Sequence, residues 1–514
     1  MTALSSSPSS RPLTGRRLRA LAAVAAVLVT AACGQKPGVG GPDPVAAPIA
    51  GATTSPAATG AADGVAPASE TTATTTSGSS PTTRSGPAAA AAGGRAASTV
   101  PAQPSAAAPT DSTPAGVAAG NRTAAAGPAG TTPPSTAAGP GAGVTDPHDR
   151  DGVTDKEIVI GVHAPITGAA PVPQDSVDKA KDLYWRYLAE RGGIYGRNVR
   201  IVFRDDQFNP SRAVTVCREM VEQEHAFLLV GVGTDQVISC AHYASQVGVP
   251  YFAMGGSETA VVGLKTYFGL SMSFPAQAPL VAQMVKKTGK TKVAVVVINT
   301  PNYDDTFSSL VAAAKDAGLS VVRTDRMSKQ ASQSEVLAEA NNLHTSGAEA
   351  VLLLLAPVTF LNLAHAAQGQ AYSPLWTGPG MSNGLNLIAE FGCPSIAGAR
   401  FLSPFPQLDV IDRFDADYKP TYRKYNKNEE PDDLGLAVWG ISKTLHQFLK
   451  AAGPNLGRAG LIRTVQSGQE FASGIFPPLR YTPGRPYGSS QSHLLEADCA
   501  SRRYKTLATF AASF

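Results

Sequence analysis

The run Glu-Ile-Val-Ile-Gly-Val at residues 157–162 decides the fold. It is almost wholly apolar, which predicts a strand buried on both faces. Apolar residues then recur at helical spacing over 175–191, and Gly192-Gly193 ends that helix. A second strand at 199–203 and a second helix at 211–224 follow. This alternation predicts a parallel sheet that is covered by helices on both faces.

The alternation continues along the chain and then restarts, which predicts two successive α/β units of similar size. The first unit also contains strands at 227–230 and 250–253 and a helix at 235–247. The second unit begins with the strong apolar strand 292–298. Its further elements are helices at 304–317, 334–345 and 358–368 and strands at 320–323, 350–355 and 375–377. Helices at 409–425 and 434–452 come next, and Pro-rich extended chain is predicted from there to Phe514.

The first 150 residues differ sharply in composition from the rest. They contain no Phe, Tyr or Trp and consist mostly of Ala, Gly, Pro, Ser and Thr. Such a segment cannot bury enough apolar surface to offset its ordering entropy. We therefore predict a disordered linker over 34–150, which as a coil would average roughly 60 Å end to end. About 360 residues remain for folding, enough for two domains.

The N-terminus has the pattern of an export signal over residues 1–33. Arg16, Arg17 and Arg19 form a positive region that precedes the apolar run 21–29. This run is too short to span a bilayer permanently, and no later segment reaches about 18 uninterrupted apolar residues. An exported protein is therefore expected.

Cys33 is open to two interpretations. As the first residue of a mature lipoprotein it would carry a lipid anchor, which the small residues Ala31 and Ala32 and the long spacer favour. Thr30 stands where such sites usually have Leu. Alternatively, a signal peptidase cuts nearby and Cys33 has no role. We predict the lipid-anchored form, held on the outer face of the cell membrane.

Four further cysteines indicate disulfides, because their number is even and the chain is expected to be exported. They are Cys217, Cys240, Cys393 and Cys499. Three pairings are possible, and the order in the sequence favours Cys217–Cys240 and Cys393–Cys499. Buried free thiols are the alternative, and none of the spacings is a zinc pattern.

Nothing in the sequence predicts an enzyme, a cofactor or a metal site. The Gly231-x-Gly233 pair lacks the third Gly of a dinucleotide fingerprint, and Walker A and Gly-x-Ser-x-Gly sequences are absent. The histidines are scattered, without metal-ligand spacing. The formal net charge of +4 is spread thinly, which argues against a phosphate-tracking face and hence against nucleic acid as a partner.

Six loops that would follow parallel strands are the candidate ligand-binding region, because ligands of open α/β sheets bind at the carboxyl ends of the strands. The loops are 163–170, 231–235, 254–259, 299–304, 356–358 and 378–383. Several combine small residues, hydroxyls and a following helix. Their backbone N–H groups and positive helix ends suit a carboxylate or another small polar head. Ordinary capped turns are the alternative for any single loop.

Two motifs resemble a known family. Glu-Arg-Gly-Gly-Ile-Tyr-Gly-Arg at 190–197 is followed, after an apolar strand, by Asp-Asp-Gln-Phe-Asn-Pro at 205–210. This combination is similar to the early signature of branched-chain amino acid-type periplasmic binding proteins, the type I solute-binding proteins of ABC importers. The resemblance covers roughly residues 155–500. The Cys217/Cys240 pair also looks like the first-lobe disulfide of that family.

The resemblance implies an α/β fold of two Rossmann-like lobes with parallel sheets. They would be joined by a multi-segment hinge of three crossings and would close on a ligand between them. The first lobe would comprise 155–272 and 404–470, and the second lobe 273–403 and 471–514.

Individual ligand contacts are implied by the same resemblance. The hydroxyls of Thr167, Thr234 and Ser257 would hold the polar head of the ligand from the first lobe. The backbone at Gly255 would assist them, and Tyr303 would cover the ligand from the second lobe.

One departure from the family concerns the ammonium group of an amino acid. Members that bind amino acids usually carry an acidic residue in the loop that is 378–383 here, and this loop has none. Asp235 and Asp304 are candidate replacements, since a buried ammonium without a carboxylate is costly. The apolar Met381 of the same loop fits either an apolar ligand or a lost site. Amino acids, amides, small acids, aromatic compounds and sterol-like solutes all stay open.

The predicted function is that of an extracytoplasmic receptor, not an enzyme, which captures a small molecule and delivers it to ABC permease subunits. Its expected partners are that ligand, the permease and, through Cys33, the membrane. The protein itself is expected to be a monomer. A surface sensor or adhesion lipoprotein with the same lobes is the alternative, and a degenerate member that binds nothing is a further one.

Overall fold

Two large sheets, mostly of parallel strands, organise the chain between residues 157 and 511, and a third sheet has two short antiparallel strands. In the computed structural model the described residues are 146–168, 170–380 and 382–514. The predicted export signal 1–33, its Cys33 and the linker up to residue 145 lie outside the described residues, as does Met381.

Strands and helices alternate through most of the described chain. The strands are β1 (Glu157–Ala164), β2 (Asn198–Asp205), β3 (Leu228–Val232), β4 (Tyr251–Met254), β5 (Tyr267–Gly269), β6 (Lys292–Ile298), β7 (Ser320–Met327), β8 (Ala350–Leu354), β9 (Leu375–Gly378), β10 (Arg400–Ser403), β11 (Glu470–Phe471), β12 (Leu479–Arg480), β13 (Ser492–Asp498) and β14 (Arg503–Ala511). The helices are α1 (Gln174–Ala180), α2 (Leu183–Ala189), α3 (Pro210–Glu222), α4 (Asp235–Gln246), α5 (Phe274–Lys287), α6 (Asp304–Asp316), α7 (Gln333–Ser346), α8 (Pro357–Gly369), α9 (Asn386–Gly392), α10 (Tyr418–Tyr425), α11 (Asp433–Ala451) and α12 (Arg458–Val465).

The first sheet has five strands in the order β2-β1-β3-β4-β5, and all of its pairings are parallel. Strand β1 therefore lies between β2 and β3, and the chain winds outward from it in both directions. The loops that leave β1 and β3 diverge at this point, which in doubly wound sheets opens a crevice.

The second sheet has seven strands in the order β14-β13-β10-β9-β8-β6-β7. Strands β6 to β10 are parallel and repeat the winding of the first sheet, with β6 between β7 and β8. Strands β13 and β14 extend this sheet in antiparallel pairing. The predicted α/β class with parallel sheets is confirmed, whereas the extended chain expected at the C-terminus is a β-hairpin.

Alternate residues of β1 pack on opposite faces of the first sheet, as the two-residue period of a strand requires. Ile158 and Ile160 join the cluster that includes Tyr184 and Trp185 of α2. Val159 joins the opposite cluster around Cys217 and Cys240 of α3 and α4. Both faces are thus covered, which explains why the strand is apolar at consecutive positions.

Helix α11, of 19 residues, lies far along the chain but packs on the first sheet. Its Trp439 ring lies 4.9 Å from that of Tyr184, and its Phe448 ring lies 5.3 Å from that of Phe252 of β4. Farther on, Tyr481 donates a hydrogen bond of 2.9 Å to the carbonyl of Gly269 in β5. Part of the segment 471–514 therefore contacts the first sheet, and the division into two lobes stays a prediction.

Two predicted helices differ from the observed ones. The segment 175–191 forms two short helices, α1 and α2, separated by a turn at Lys181-Asp182. The segment 409–425 is helical only from Tyr418, apart from a short 3-10 turn at Ile411–Arg413. Asp415 interrupts it, because its carboxylate accepts hydrogen bonds from the backbone N–H of Asp417 at 3.0 Å and from the Trp439 indole at 2.8 Å.

Disulfides join Cys217 to Cys240 and Cys393 to Cys499, which is the pairing that sequence order favours. The first bond links α3 to α4, with 6.1 Å between the Cα atoms. The second links the end of α9 to the turn after β13, with 5.4 Å between the Cα atoms. The first bond thus ties together two helices that cover the first sheet, and the second ties a helix to the turn between β13 and β14.

Within the described part of the chain, none of the helices combines the length and the apolar character needed to cross a membrane.

Candidate functional site

A cavity of about 140 Å³ opens at the carboxyl ends of the parallel strands of both sheets. Each of the six loops singled out by the sequence contributes to its wall. The residues that line it are Pro165, Ala170, Pro171, Val172, Pro173, Phe208, Val232, Gly233, Thr234, Met254, Gly255, Ser271, Phe274, Gln277, Ile298, Tyr303, Leu354, Leu355, Ala356, Pro357, Gly380, Ser382, Leu385, Leu387, Ile388, Pro404 and Leu434.

The position of this cavity follows from the strand order. In the first sheet the order reverses at β1 and β3, whose loops supply Pro165 and Thr234. In the second sheet it reverses at β6 and β8, whose loops supply Tyr303 and Ala356. Both crevices therefore open into one space, which is where open α/β sheets bind their ligands.

The wall of the cavity is predominantly apolar. Its polar side chains are those of Thr234, Ser271, Gln277, Tyr303 and Ser382, and none of its described lining residues carries a formal charge. An ionised ligand group would therefore lose its hydration without meeting a countercharge, which is costly in an apolar environment. The geometry favours a ligand whose buried part is largely apolar.

Phe274, at the start of α5, fixes two of the ligand-facing turns. A methyl group at Gly255 would lie 2.7 Å from its ring, and one at Gly380 would lie 2.9 Å from it. Both glycines also have positive φ angles, of +69° and +85°, which side chains disfavour. Phe274 packs edge-on against Tyr303, with 5.9 Å between the ring centroids. The two rings form an aromatic wall between the sheets. Tyr303 was predicted as a ligand contact from the sequence, whereas Phe274 was not.

Tyr303 is 3% exposed, and its hydroxyl lies in the uncharged state at neutral pH. Burial raises its pKa well above the usual value, and the nearby Asp235 carboxylate raises it further. A neutral phenol can donate one hydrogen bond and accept others. Tyr303 and Thr234 both line the cavity, so a polar ligand head has two hydroxyls within its reach.

Gln277 of α5 positions the loop after β9. Its Oε1 accepts a hydrogen bond of 3.0 Å from the backbone N–H of Gly380, and its Nε2 donates one of 3.1 Å to the carbonyl of Met272. The side chain is 4% exposed. No local signal in the sequence marks this residue, because its partner lies more than 100 positions away.

Asp235 joins the two sheets but is absent from the cavity wall. Its carboxylate, at the start of α4, accepts hydrogen bonds from Thr300 at 3.1 Å and from Asn302 at 2.8 Å. It also forms an ion pair with Lys329. These three partners follow strands β6 and β7 of the second sheet, so the carboxylate is fully engaged across the cleft.

Asp305 forms a second link, from α6 to the loop after β4. Its carboxylate accepts hydrogen bonds from the Ser257 hydroxyl at 2.6 Å and from the backbone N–H groups of Glu258 and Thr259 at 2.8 and 3.1 Å. Burial opposes ionisation of this group, but the hydrogen bonds outweigh it and lower its pKa. Ser257 therefore holds Asp305 rather than lining the cavity.

The predicted ligand contacts fall into two groups. Thr234, Gly255 and Tyr303 line the cavity together. Asp235 and Ser257 lie in the links just described. Thr167 donates a hydrogen bond of 2.7 Å to Asp205, and Asp304 pairs with Arg326 at 2.7 Å with 63% of its side chain exposed. Met381 lies outside the described residues.

A buried polar cluster is centred on His163 of β1, which does not line the cavity. His163 contacts Asp206 at 2.7 Å and Tyr251 at 2.8 Å, and all three are fully buried. His163 also lies near Cys217 and Cys240, which resembles a metal-ligand set. The two sulfurs form a disulfide, however, so neither is available as a thiolate ligand.

A family model described as "Periplasmic binding protein" matches residues 157–494, well over half of the chain. The chain belongs to this family. The predicted relationship to type I periplasmic binding proteins is thereby confirmed. The family and its solved neighbours are solute-binding receptors rather than enzymes.

Among curated proteins the chain is similar to "Leu/Ile/Val-binding protein homolog 3" of Brucella melitensis biotype 1. The identity is 26% over 198 residues, which make up 38% of this chain and 53% of that protein. It also matches an "Amino acid binding protein" of Pseudomonas aeruginosa at 23% identity. The chain thus spans about half the length of the curated relatives it matches.

Solved structures share the fold at low identity. A fatty acid ABC transporter substrate-binding protein from Thermomonospora curvata superposes with a TM-score of 0.61 at 19% identity, covering 71% of this chain and 94% of that one. A branched chain amino acid ABC transporter protein from Thermus thermophilus with bound valine gives a TM-score of 0.59 at 16% identity, covering 70% and 98%. At these identities the likeness shows the fold alone.

Proposed function

We propose that the protein is an extracytoplasmic solute-binding receptor that captures a small molecule between its two sheets and delivers it to an ABC importer. The observation that carries the proposal is the cavity at the carboxyl ends of both sheets, with hydroxyls and backbone turns on an apolar wall. Pockets of this composition bind small organic molecules through a few polar groups.

The charges around the cleft disfavour an amino acid as the solute. Both carboxylates considered as ammonium partners are already engaged, Asp235 by Lys329 and Asp304 by Arg326. An ammonium group in the cavity would have to break one of these pairs or remain unpaired. A solute without an ammonium group avoids this cost. Of the solved proteins with this fold, one is named a fatty acid ABC transporter substrate-binding protein and another contains bound valine.

The N-terminus of α8 can bind a hydrogen-bond acceptor of the solute. This helix begins at Pro357, next to Ala356 in the cavity wall, and has neither an acidic residue in its first turn nor a side-chain cap. The first N–H groups of a helix have no partner within the helix, and its N-terminus attracts negative charge. A carbonyl, an amide or a carboxylate oxygen is therefore the expected polar head.

The links made by Asp235 and Asp305 suit a receptor that closes on its ligand. Each joins the first sheet to the second through hydrogen bonds that opening would break. Closure of this kind shields the solute from water, and the permease would recognise the closed form. We expect the links to set how readily the unliganded protein closes.

The proposed location is the outer face of the cell membrane. The export pattern at 1–33, Cys33 as lipid anchor and the long spacer would hold the folded part near a permease, as a monomer. Conversion of Cys33 to Ala is expected to release the protein from the membrane into the medium. Retention of the variant in the membrane fraction would contradict the anchor.

A thermal-unfolding screen of the purified protein tests solute binding. Amino acids, amides, carboxylic acids, alcohols and aromatic acids are compared at saturating concentration, where a ligand at 100 times its Kd stabilises by about 2.7 kcal/mol. We expect acids or amides to stabilise and Tyr303→Phe to weaken that effect. Tyr195→Phe is the matched control, since the Tyr195 hydroxyl bonds to Lys450 far from the cavity.

Two outcomes would change the proposal. Stabilisation by amino acids alone would restore the branched-chain amino acid assignment and require Asp235 or Asp304 to exchange partners. No stabilisation by any solute would contradict the receptor function. A positive hit that is not taken up by cells when the gene is expressed with its permease would favour the alternative, a surface sensor that binds the same solute.

A further inference from the structure

A second cavity, of about 70 Å³, lies against the face of the first sheet. Its floor is formed by strand side chains that include Val162, Ile201 and Phe203. Its roof is formed by helices α1, α2 and α11, with Val438 and Ser442 on α11. Lys181 and Ser442 are the polar residues among its described lining, and Lys181 already pairs with Asp178 at 2.5 Å.

The second cavity adjoins the main one. Val172, Val232 and Leu434 line both, so the two spaces share a wall of three apolar side chains. Val172 belongs to the loop after β1, Val232 ends β3, and Leu434 begins α11. These three side chains are therefore what separates the two apolar spaces.

The second cavity interrupts the packing that the centre of an α/β lobe normally has. Interior side chains usually fill space as closely as organic crystals do. Here Val162 and Val232, on the inner strands β1 and β3, remain partly exposed, as do Ile201 and Phe203 on the edge strand β2. Apolar groups that line an empty space lose dispersion contacts, and a hydrocarbon of matching size restores them.

We propose that the solute is an amphiphile with a hydrocarbon chain. Its polar head lies in the main cavity near Tyr303 and Thr234, and its chain passes between Val172, Val232 and Leu434 into the second cavity. This inference rests on the proposed receptor function and narrows its solute class. It accounts for two observations together, the absence of charge on the described wall of the main cavity and the apolar extension beside it.

Binding of straight-chain saturated carboxylic acids and of their primary amides tests the inference. Titration calorimetry on the full mature protein would cover chains of increasing length, each below its aggregation concentration. We expect the Kd to fall roughly fourfold per added methylene until the chain fills the second cavity, and then to level off. The polar head is constant within each series, so this trend reports the chain alone.

Filling the second cavity distinguishes the contribution of the hydrocarbon chain to binding from that of the polar head. Val438→Phe places a ring in this space and is expected to weaken long-chain binding by about tenfold or more. Binding of the shortest acids should stay within about twofold of the unmodified protein. If Val438→Phe folds poorly, Ser442→Leu fills the same space from one helical turn away. Val322→Phe, on β7 of the second sheet, is the matched control and should leave both series unchanged.

The outcomes distinguish this inference from the function on which it rests. Binding of short solutes with no dependence on chain length overturns the inference and leaves the receptor function intact. The inference is also overturned if Val438→Phe and Ser442→Leu weaken the binding of short-chain and long-chain ligands equally. Both proposals are overturned if none of the acids and amides binds and if no solute in the thermal screen stabilises the protein.

Discussion

The carboxylates of Asp305 and Glu339 differ in how burial affects their pKa values. Asp305 is stabilised in its charged form by several hydrogen-bond donors, so its pKa is lowered despite burial. Glu339, 6% exposed on α7, has Arg323 at 3.6 Å as its one cationic partner among the described residues and lies near the Asp325 carboxylate. Burial therefore dominates there, and Asp325 adds to it, which raises the pKa of Glu339 to about 7.

Glu339→Gln is expected to change the pH dependence of stability. The folded-state pKa of Glu339 is raised, so the contribution of this group is fully present below its unfolded pKa and is lost as pH rises through about 7. Above pH 7 the Gln variant should be more stable than the unmodified protein by about 2–3 kcal/mol, and the difference should vanish near pH 4. Urea unfolding at several pH values measures this.

The control for that series is Glu390→Gln, at an exposed position on α9. Its stability should follow that of the unmodified protein at every pH. A parallel loss of stability in Glu339→Gln and in the unmodified protein from pH 5 to 8 would show that Glu339 ionises normally in the folded state.

Asp305→Asn is expected to lower the free energy of unfolding by about 1–3 kcal/mol, because charged hydrogen bonds to Ser257, Glu258 and Thr259 are weakened. The folded pKa of Asp305 is lowered, so this contribution is present above its unfolded pKa and disappears as pH falls through the folded value. Denaturant unfolding at pH 7 and below pH 4 measures both effects.

The neighbouring substitution Asp304→Asn provides the comparison. The side chain of Asp304 is 63% exposed and pairs with Arg326 within the second half of the fold, so its removal should cost about 0.5 kcal/mol or less. Equal losses for the two variants would mean that Asp305 makes no special link.

At the scale of elements, the disulfides tie together pieces that are distant along the chain. Cys217–Cys240 closes a sequence separation of 23 residues between α3 and α4, and Cys393–Cys499 closes one of 106 residues between α9 and the turn after β13. Both bonds restrict the unfolded chain, and in the chain-entropy account the longer loop is restricted more.

Removal of each disulfide by paired Cys→Ala substitution is expected to destabilise the protein, by about 3 kcal/mol for Cys217/Cys240 and by about 4–5 kcal/mol for Cys393/Cys499. Equilibrium unfolding of each variant under oxidising conditions measures the two values. The opposite order would show that local strain or packing, rather than loop length, sets the contribution of each bond.

Over the whole molecule, two links hold the first sheet to the second across the cavity. Asp235 reaches Lys329, and Asp305 reaches Ser257. Lys329→Met combined with Asp305→Asn removes a partner from each link. We expect this double variant to have a larger radius of gyration without ligand than the unmodified protein, and a saturating ligand to restore the compact form. Small-angle X-ray scattering measures both.

The matched control for the double variant is Arg326→Met combined with Asp304→Asn. This ion pair, at 2.7 Å, joins β7 to α6 within the second half and does not cross the cleft. Its removal should leave the radius of gyration unchanged. An unchanged radius in both double variants would mean that the links do not hold the cleft closed.

The sequence predicted those features that depend on short-range pattern. Residues 157–162 and 292–298 were identified as buried strands because apolar side chains stand at consecutive positions, and both are inner strands with parallel neighbours on each side. Gly192-Gly193 marked the end of a helix because glycine tolerates the positive φ angles found there. The six loops at the cavity followed from the same pattern, since a parallel sheet brings the carboxyl ends of its strands to one edge.

Only the tertiary structure decided which residues face the solute. Gln277, Phe274 and the Asp235–Lys329 pair depend on partners that lie far away along the chain, up to 103 positions for Gln277 and Gly380. The second cavity depends likewise on α11 returning to the first sheet from residues 433–451. A local pattern reports whether a residue is buried, but the partner it meets is set by the crossing of distant segments. The fold class could therefore be predicted from the sequence, whereas the chemistry of the site could not.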